Sequence, residues 1–143
     1  MAELIQPELA HRIVWEAEAV HGAYPGRFRL VRTGGGMVAW KGSVPVEGRE
    51  FPVRVTYPLA YPGLPPRLET SLPLPPHCPH VLFRRDERTE LCWIAPEAVE
   101  RRRRWDPQRH TAATVLRAAQ RWGLALLVWQ TLGLWPVPDA WEV

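Results

Sequence analysis

Lysine is almost missing from this chain: of its 18 basic residues only Lys41 is not arginine. Coding bias is enough to explain that imbalance. Cysteine is scarce as well, and two cysteines among 143 residues cannot build a disulfide scaffold. Long apolar runs are absent. The most apolar stretch, Gly123 to Trp135, contains Gln130 and Thr131; it is too short to cross a membrane and reads as a buried helix end. The N-terminal stretch through His21 holds neither a basic leader nor an apolar core, so no signal peptide is expected. The expected compartment is the cytoplasm, where a reduced thiol survives. Net charge is +3, but both signs are mixed and the run Arg101–Arg104 has no accompanying basic stripe, which argues against a nucleic-acid binder. The triple glycine Gly34-Gly35-Gly36 lacks the spacing of a phosphate loop, and no helical pattern follows it.

What is present is enough for one domain with a real core. Residues 3–21 are predicted to form a helix: Leu4, Ile5, Leu9, Ile13, Ala17 and Val20 fall on one stripe, with Arg12 and Glu16 largely off it. Pro7 suits its first turn. Strands are expected within 27–34, over 37–46 and over Glu50–Tyr57, with Arg67–Thr70 as a short fourth. Consecutive hairpins make these an antiparallel meander. Prolines then crowd residues 58–80 and rule out an interior helix or a continuous central strand. This rigid, extended stretch passes through a charged turn at Arg84–Glu90 and delivers Cys92 within the segment LCWI. Pro96 permits a short helix, and Asp106-Pro107 reads as the N-cap and first turn of a long helix, Pro107–Leu132, ended by Gly133. The expected architecture is α+β, with helices against one sheet.

Cys92 carries the chemical possibilities. Its thiolate could take an acyl group from another thioester and pass it to an amine; a buried core cysteine is the plain alternative. His77, Cys78, His80 and Cys92 could form a zinc set, although adjacent His77 and Cys78 do not match the usual paired spacing. A Cys–His hydrolase using Cys92 with His80 or His110 is a further option, as is a Cys78–Cys92 disulfide.

The order of elements resembles the ubiquitin-conjugating enzyme (E2) family, in its divergent bacterial form. The motifs that carry the resemblance are Tyr57-Pro58-Leu59-Ala60-Tyr61-Pro62-Gly63-Leu64-Pro65-Pro66, then Cys78-Pro79-His80, then Leu91-Cys92 followed by Trp105 and Pro107. The likeness covers roughly residues 3–133 of a single domain spanning 1–143. It implies a UBC-like fold with an N-terminal helix, a four-stranded meander, a cysteine-bearing loop and a long helix, without the last two helices of eukaryotic members. It also implies an activity: Cys92 would accept a ubiquitin-like protein, or another activated protein C-terminus, from an E1-like adenylating enzyme and transfer it to an amine on a protein target. No cofactor or metal is implied. His80 stands at the family's Asn position and would steady the oxyanion or help deprotonate the amine. The family's acidic residue has Glu97 and Glu100 as its candidates here. The intervals from His80 to Cys92 and from Cys92 to Trp105 are both longer than in the common pattern. Arg12 and the Leu59–Leu64 loop would meet the E1, and Arg101–Arg104 would steer an acidic partner. Scarcity of lysine would limit self-modification near a thioester. Bacterial domains of this look occur in antiviral operons. A non-catalytic adaptor that kept only the fold is the alternative.

Overall fold

The computed structural model describes residues 7–85, 87–95 and 97–137. A helix α1 (Pro7–Ala23) is followed by strands β1 (Phe28–Arg32), β2 (Val38–Val46), β3 (Arg49–Thr56) and β4 (Arg67–Thr70). Then come β5 (Val81–Arg84), β6 (Thr89–Leu91), a short helix α2 (Ala98–Arg104) and a long one, α3 (Ala112–Leu132). All strand pairings are antiparallel, in the order β1-β2-β3-β4-β6-β5. The class is therefore α+β, as the patterning implies. The expected residues 3–6 of the first helix and Pro96 lie outside the described residues.

The meander follows from alternation. Trp40, Val44 and Val46 on β2, Phe51, Val53 and Val55 on β3, Leu68 on β4 and Leu91 on β6 are buried on one face. The opposite face carries a charged row in direct register, Lys41, Arg54, Glu69 and Glu90. Glu47 and Gly48, both at positive φ, close the β2–β3 hairpin in a tight turn. At Gly42, paired with Phe28, a Cβ would stand 2.0 Å from the Arg27 carbonyl oxygen. Only glycine lets β1 approach β2 there.

Helix α3 lies across β2 and β3 and also packs on α1. Fully buried Trp122 stacks on Phe51, with ring centroids 5.9 Å apart and planes 5° from parallel. Gly133 in the left-handed conformation caps the helix, its N–H donating to the Trp129 carbonyl. Among the described residues no helix is long and apolar enough to cross a membrane.

The structure corrects three expectations. Among the described residues the sheet has six strands, not four, because the presumed charged turn Arg84–Glu90 is the tip of a hairpin whose arms extend the sheet. The long helix starts at Ala112 rather than at Pro107. Asp106 instead accepts from the Gln108 N–H (2.9 Å) in a local turn, while Thr111 and Thr114 form a reciprocal capping box. Finally, Arg12 and Glu16 point inward. Glu16 is completely buried, and only 15 % of the Arg12 side chain is exposed.

Candidate active site around Cys92

The β5–β6 hairpin brings the two residues singled out by sequence side by side. One step beyond the Val81–Leu91 pair, the Cys92 N–H donates to the His80 carbonyl oxygen at 2.9 Å. The same carbonyl accepts from the Trp122 indole at 3.3 Å. His80 holds a positive φ of 58°, unusual for a residue with a Cβ, and its ring stacks on Trp135 with centroids 4.9 Å apart. The His80 backbone is thus fixed by β6 and α3 together.

Cys92 itself is 4 % exposed. Its thiol donates to the Ile94 carbonyl at 3.2 Å, and Trp93, Ile94 and Ala95 beside it are buried. Two indoles clamp this segment to the proline-rich stretch. Trp93 donates to the Pro66 carbonyl (3.2 Å) and Trp105 to that of Pro62 (3.0 Å), and the two rings meet edge to face at 6.1 Å. Proline lacks an N–H but keeps a carbonyl acceptor, so a proline-rich stretch can be anchored through acceptors alone.

The remaining candidates are spread out. Glu97 is exposed. Glu100, on α2, pairs with Arg103 at 2.8 Å and approaches Arg104 at 3.8 Å, so its carboxylate is engaged within its own helix. Within the run Arg101–Arg104, Arg101 donates to the Ala95 carbonyl and ties α2 to the cysteine segment. Cys78 is buried, and burial pushes its thiol up, with Arg84 pulling the other way. Neither cysteine is in a disulfide. Among the described residues no group of three or more His, Cys, Asp or Glu side chains could hold a metal, so the zinc set of His77, Cys78, His80 and Cys92 does not assemble. The imidazole of His110 is committed elsewhere, its Nδ1 accepting from the Asp106 N–H at 2.9 Å. Burial lowers its pKa, Arg109 adds to the effect and Asp106 opposes it.

Sequence reasoning missed the polar centre that holds these parts together. The Glu16 carboxylate accepts from four donors: the Tyr57 hydroxyl (2.7 Å), the Ala112 N–H (2.8 Å), the Arg12 Nε (2.8 Å) and the Tyr61 hydroxyl. Four donors fill its lone pairs. Arg12 reaches on to the carbonyls of Pro107 (2.6 Å) and His110 (2.8 Å). Both tyrosine hydroxyls are pushed to higher pKa, first by burial and then by Glu16. Helix α1 thereby locks the Tyr-Pro stretch to the approach of α3. The only sequence signal was the Arg12/Glu16 spacing of four, which more often marks a surface pair.

Compared with protein-family models, with curated proteins and with solved structures, the chain matches none.

Proposed function

We propose that this protein is an E2-like carrier that holds a ubiquitin-like protein, or another activated protein C-terminus, as a thioester on Cys92. The observation that supports it is the backbone hydrogen bond from the Cys92 N–H to the His80 carbonyl, which sets the chain at His80 beside the chain at Cys92. The Trp93 and Trp105 clamps onto the Tyr-Pro…Pro-Pro stretch add support, since they tie the motifs of the resemblance into one unit.

The chemistry is acyl exchange. The Cys92 thiolate attacks the thioester carbonyl presented by an E1-like enzyme; a new carbon–sulfur bond forms, the E1 thiolate leaves, and the Cys92 proton passes to solvent or base. An acceptor amine later attacks the same carbonyl and expels the Cys92 thiolate. His80 donates to the oxyanion, and Glu97 or Glu100 takes the amine proton. Loading requires the thiol to exchange its contact with the Ile94 carbonyl for the incoming acyl group. The compartment we propose is the cytoplasm, where a reduced thiol survives, and the resemblance points to a gene of a bacterial antiviral operon.

One observation favours a second reading. A cysteine only 4 % exposed suits an adaptor that kept the fold and gave up transfer. Intact mass separates the two after incubation with a cognate E1, its ubiquitin-like protein and ATP. The carrier gives a reductant-sensitive adduct in wild type and Cys78→Ala that is missing in Cys92→Ala. No adduct beside a demonstrably charged E1 leaves the adaptor. Loss of the adduct in Cys78→Ala alone moves the nucleophile to Cys78.

A further inference from the structure

His80 is held at its carbonyl and at its ring by two indoles that touch each other. Trp122, fully buried on α3, donates to the His80 carbonyl at 3.3 Å and so holds the backbone. Trp135 stacks on the imidazole, with centroids 4.9 Å apart and planes 29° from parallel. The two indoles meet edge to face at 5.2 Å, which closes a circuit from the His80 carbonyl through both tryptophans to the His80 ring. Gly133 makes this possible: at a φ of 74° it turns the chain out of α3, and two residues later Trp135 falls on His80.

The two contacts divide the task. A φ of 58° persists in a residue with a Cβ only where the surroundings fix it, and the bonds from Trp122 and the Cys92 N–H fix the His80 backbone. The ring remains to be oriented, and Trp135 lies flat against it. Stacking restrains an imidazole without occupying its nitrogens, as a hydrogen bond would. The Trp135 Nε1–H is itself shut off from solvent and has no acceptor among the described residues, so ring contacts rather than a hydrogen bond place this indole.

We propose, on the carrier reading in which His80 donates to the oxyanion, that Trp135 is a positioning residue: its face holds the His80 imidazole in the orientation from which it serves the acyl group on Cys92. A misplacement of about 1 Å can cost on the order of a hundredfold in rate, so the orientation of the ring matters as much as its presence.

The test uses the full chain in a Cys78→Ala background, charged with the mercaptoethanesulfonate thioester of acetyl-glycyl-glycine. The Cys92 thiolate attacks the acyl carbon and mercaptoethanesulfonate leaves. Added lysine then attacks the same carbon, a carbon–nitrogen bond forms, the Cys92 thiolate departs and buffer takes the amine proton. Discharge is followed by intact mass. Trp135→Leu should slow it at least about tenfold, whereas Trp135→Phe keeps a stacking face and should stay within about threefold. His80→Gly removes the ring and suits the positive φ. In that background Trp135→Leu should change discharge by less than about twofold, because a residue acting through His80 has nothing left to act on. Proton–carbon NMR should show the His80 ring signals leaving their ring-current-shifted positions in Trp135→Leu, while the Cys92 amide signal stays in place. Wild-type discharge by Trp135→Leu overturns the proposal, as does an equal loss with and without the His80 ring. If Trp135→Leu does not fold, a loss of about tenfold in Trp135→Phe, or wild-type discharge by His80→Gly, overturns it instead. A chain with native Trp135 and His80 that takes no acyl group on Cys92 removes the carrier reading and this role together.

Discussion

Glutamate 16 is the position where a single substitution should cost most. It is fully buried, and its two oxygens receive four donors from α1, the Tyr-Pro stretch and the start of α3. Glu16→Ala strands the Arg12 guanidinium beside two tyrosine hydroxyls and a helix N-terminal amide. Breaking a buried pair by removing one partner costs about 3–5 kcal/mol. Counting the donors separately gives a similar figure, at about 1 kcal/mol for each neutral donor and more for the charged one. Arg12 keeps two backbone carbonyls, which places the expected loss near the lower end, about 3–4 kcal/mol. At about 2–4 °C per kcal/mol for a chain near this size, the melting temperature should fall by on the order of 10 °C. Glu16→Gln is the sharper variant, because it keeps the volume and removes the charge. Its amide nitrogen would face donors, so a loss of about 2 kcal/mol remains. The assay is urea unfolding followed by tryptophan fluorescence and far-UV circular dichroism, with Arg12→Met completing a double-mutant cycle. A coupling of at least about 1 kcal/mol is expected between the two residues. A Glu16→Gln loss below about 0.5 kcal/mol at unchanged m-value would contradict this account, since that is the range of an ordinary surface change.

Further outcomes rest on other features of the fold. Gly42→Ala should destabilise by about 2 kcal/mol or more, because its Cβ would stand 2.0 Å from the Arg27 carbonyl oxygen. Gly123→Ala, whose Cβ would meet the Phe51 and Val46 side chains at 3.0 Å, should cost less, and urea midpoints of the two variants check the order. Burial holds the folded pKa of His110 below its unfolded value of about 6.5, so the unfolded chain takes up the proton first. Its contribution is then complete above about pH 6.5 and is lost as pH falls toward the folded value. His110→Ala should flatten the dependence of the urea midpoint on pH across that window, and an unchanged slope would count against it. Both cysteines are buried, so a colorimetric thiol reagent should react slowly with the native protein and quickly in denaturant. Rapid native labelling of Cys92, mapped by mass spectrometry, would show that its cover opens readily.

Much of the frame was legible because it rests on alternation and on punctuation by glycine and proline. The first four strands and both long helices lie close to their expected places. The β5–β6 hairpin was not legible. Val81-Leu82-Phe83 is an unbroken apolar run with no alternation, and it sits at a register shift in its pairing with β6. Asp106-Pro107 misled for a different reason: the pair is a good helix start, but the Asp106 side chain serves a turn while Thr111 caps α3. Arg12 and Glu16 were assigned outward because periodicity sorts by hydropathy, and a carboxylate buried by four donors looks like any surface acid. At the candidate site, the adjacency of Cys92 and His80 depended on a hairpin that local patterning did not reveal.

A finite open sheet must end somewhere, and here it ends at β1 and β5. An exposed terminal strand is a template on which a second chain can pair and grow. Both outer strands carry features that discourage this. Strand β1 reads FRLVR, with Arg29 and Arg32 both exposed, so a parallel copy added in register would bring arginine against arginine. Strand β5 is short, ends in Arg84 and is irregular between Val81 and Phe83, which spoils the straight row of amides a recruit needs. Arg29, Arg32 and Arg84 thus put charge on both open edges of the sheet, where added strands would otherwise pair.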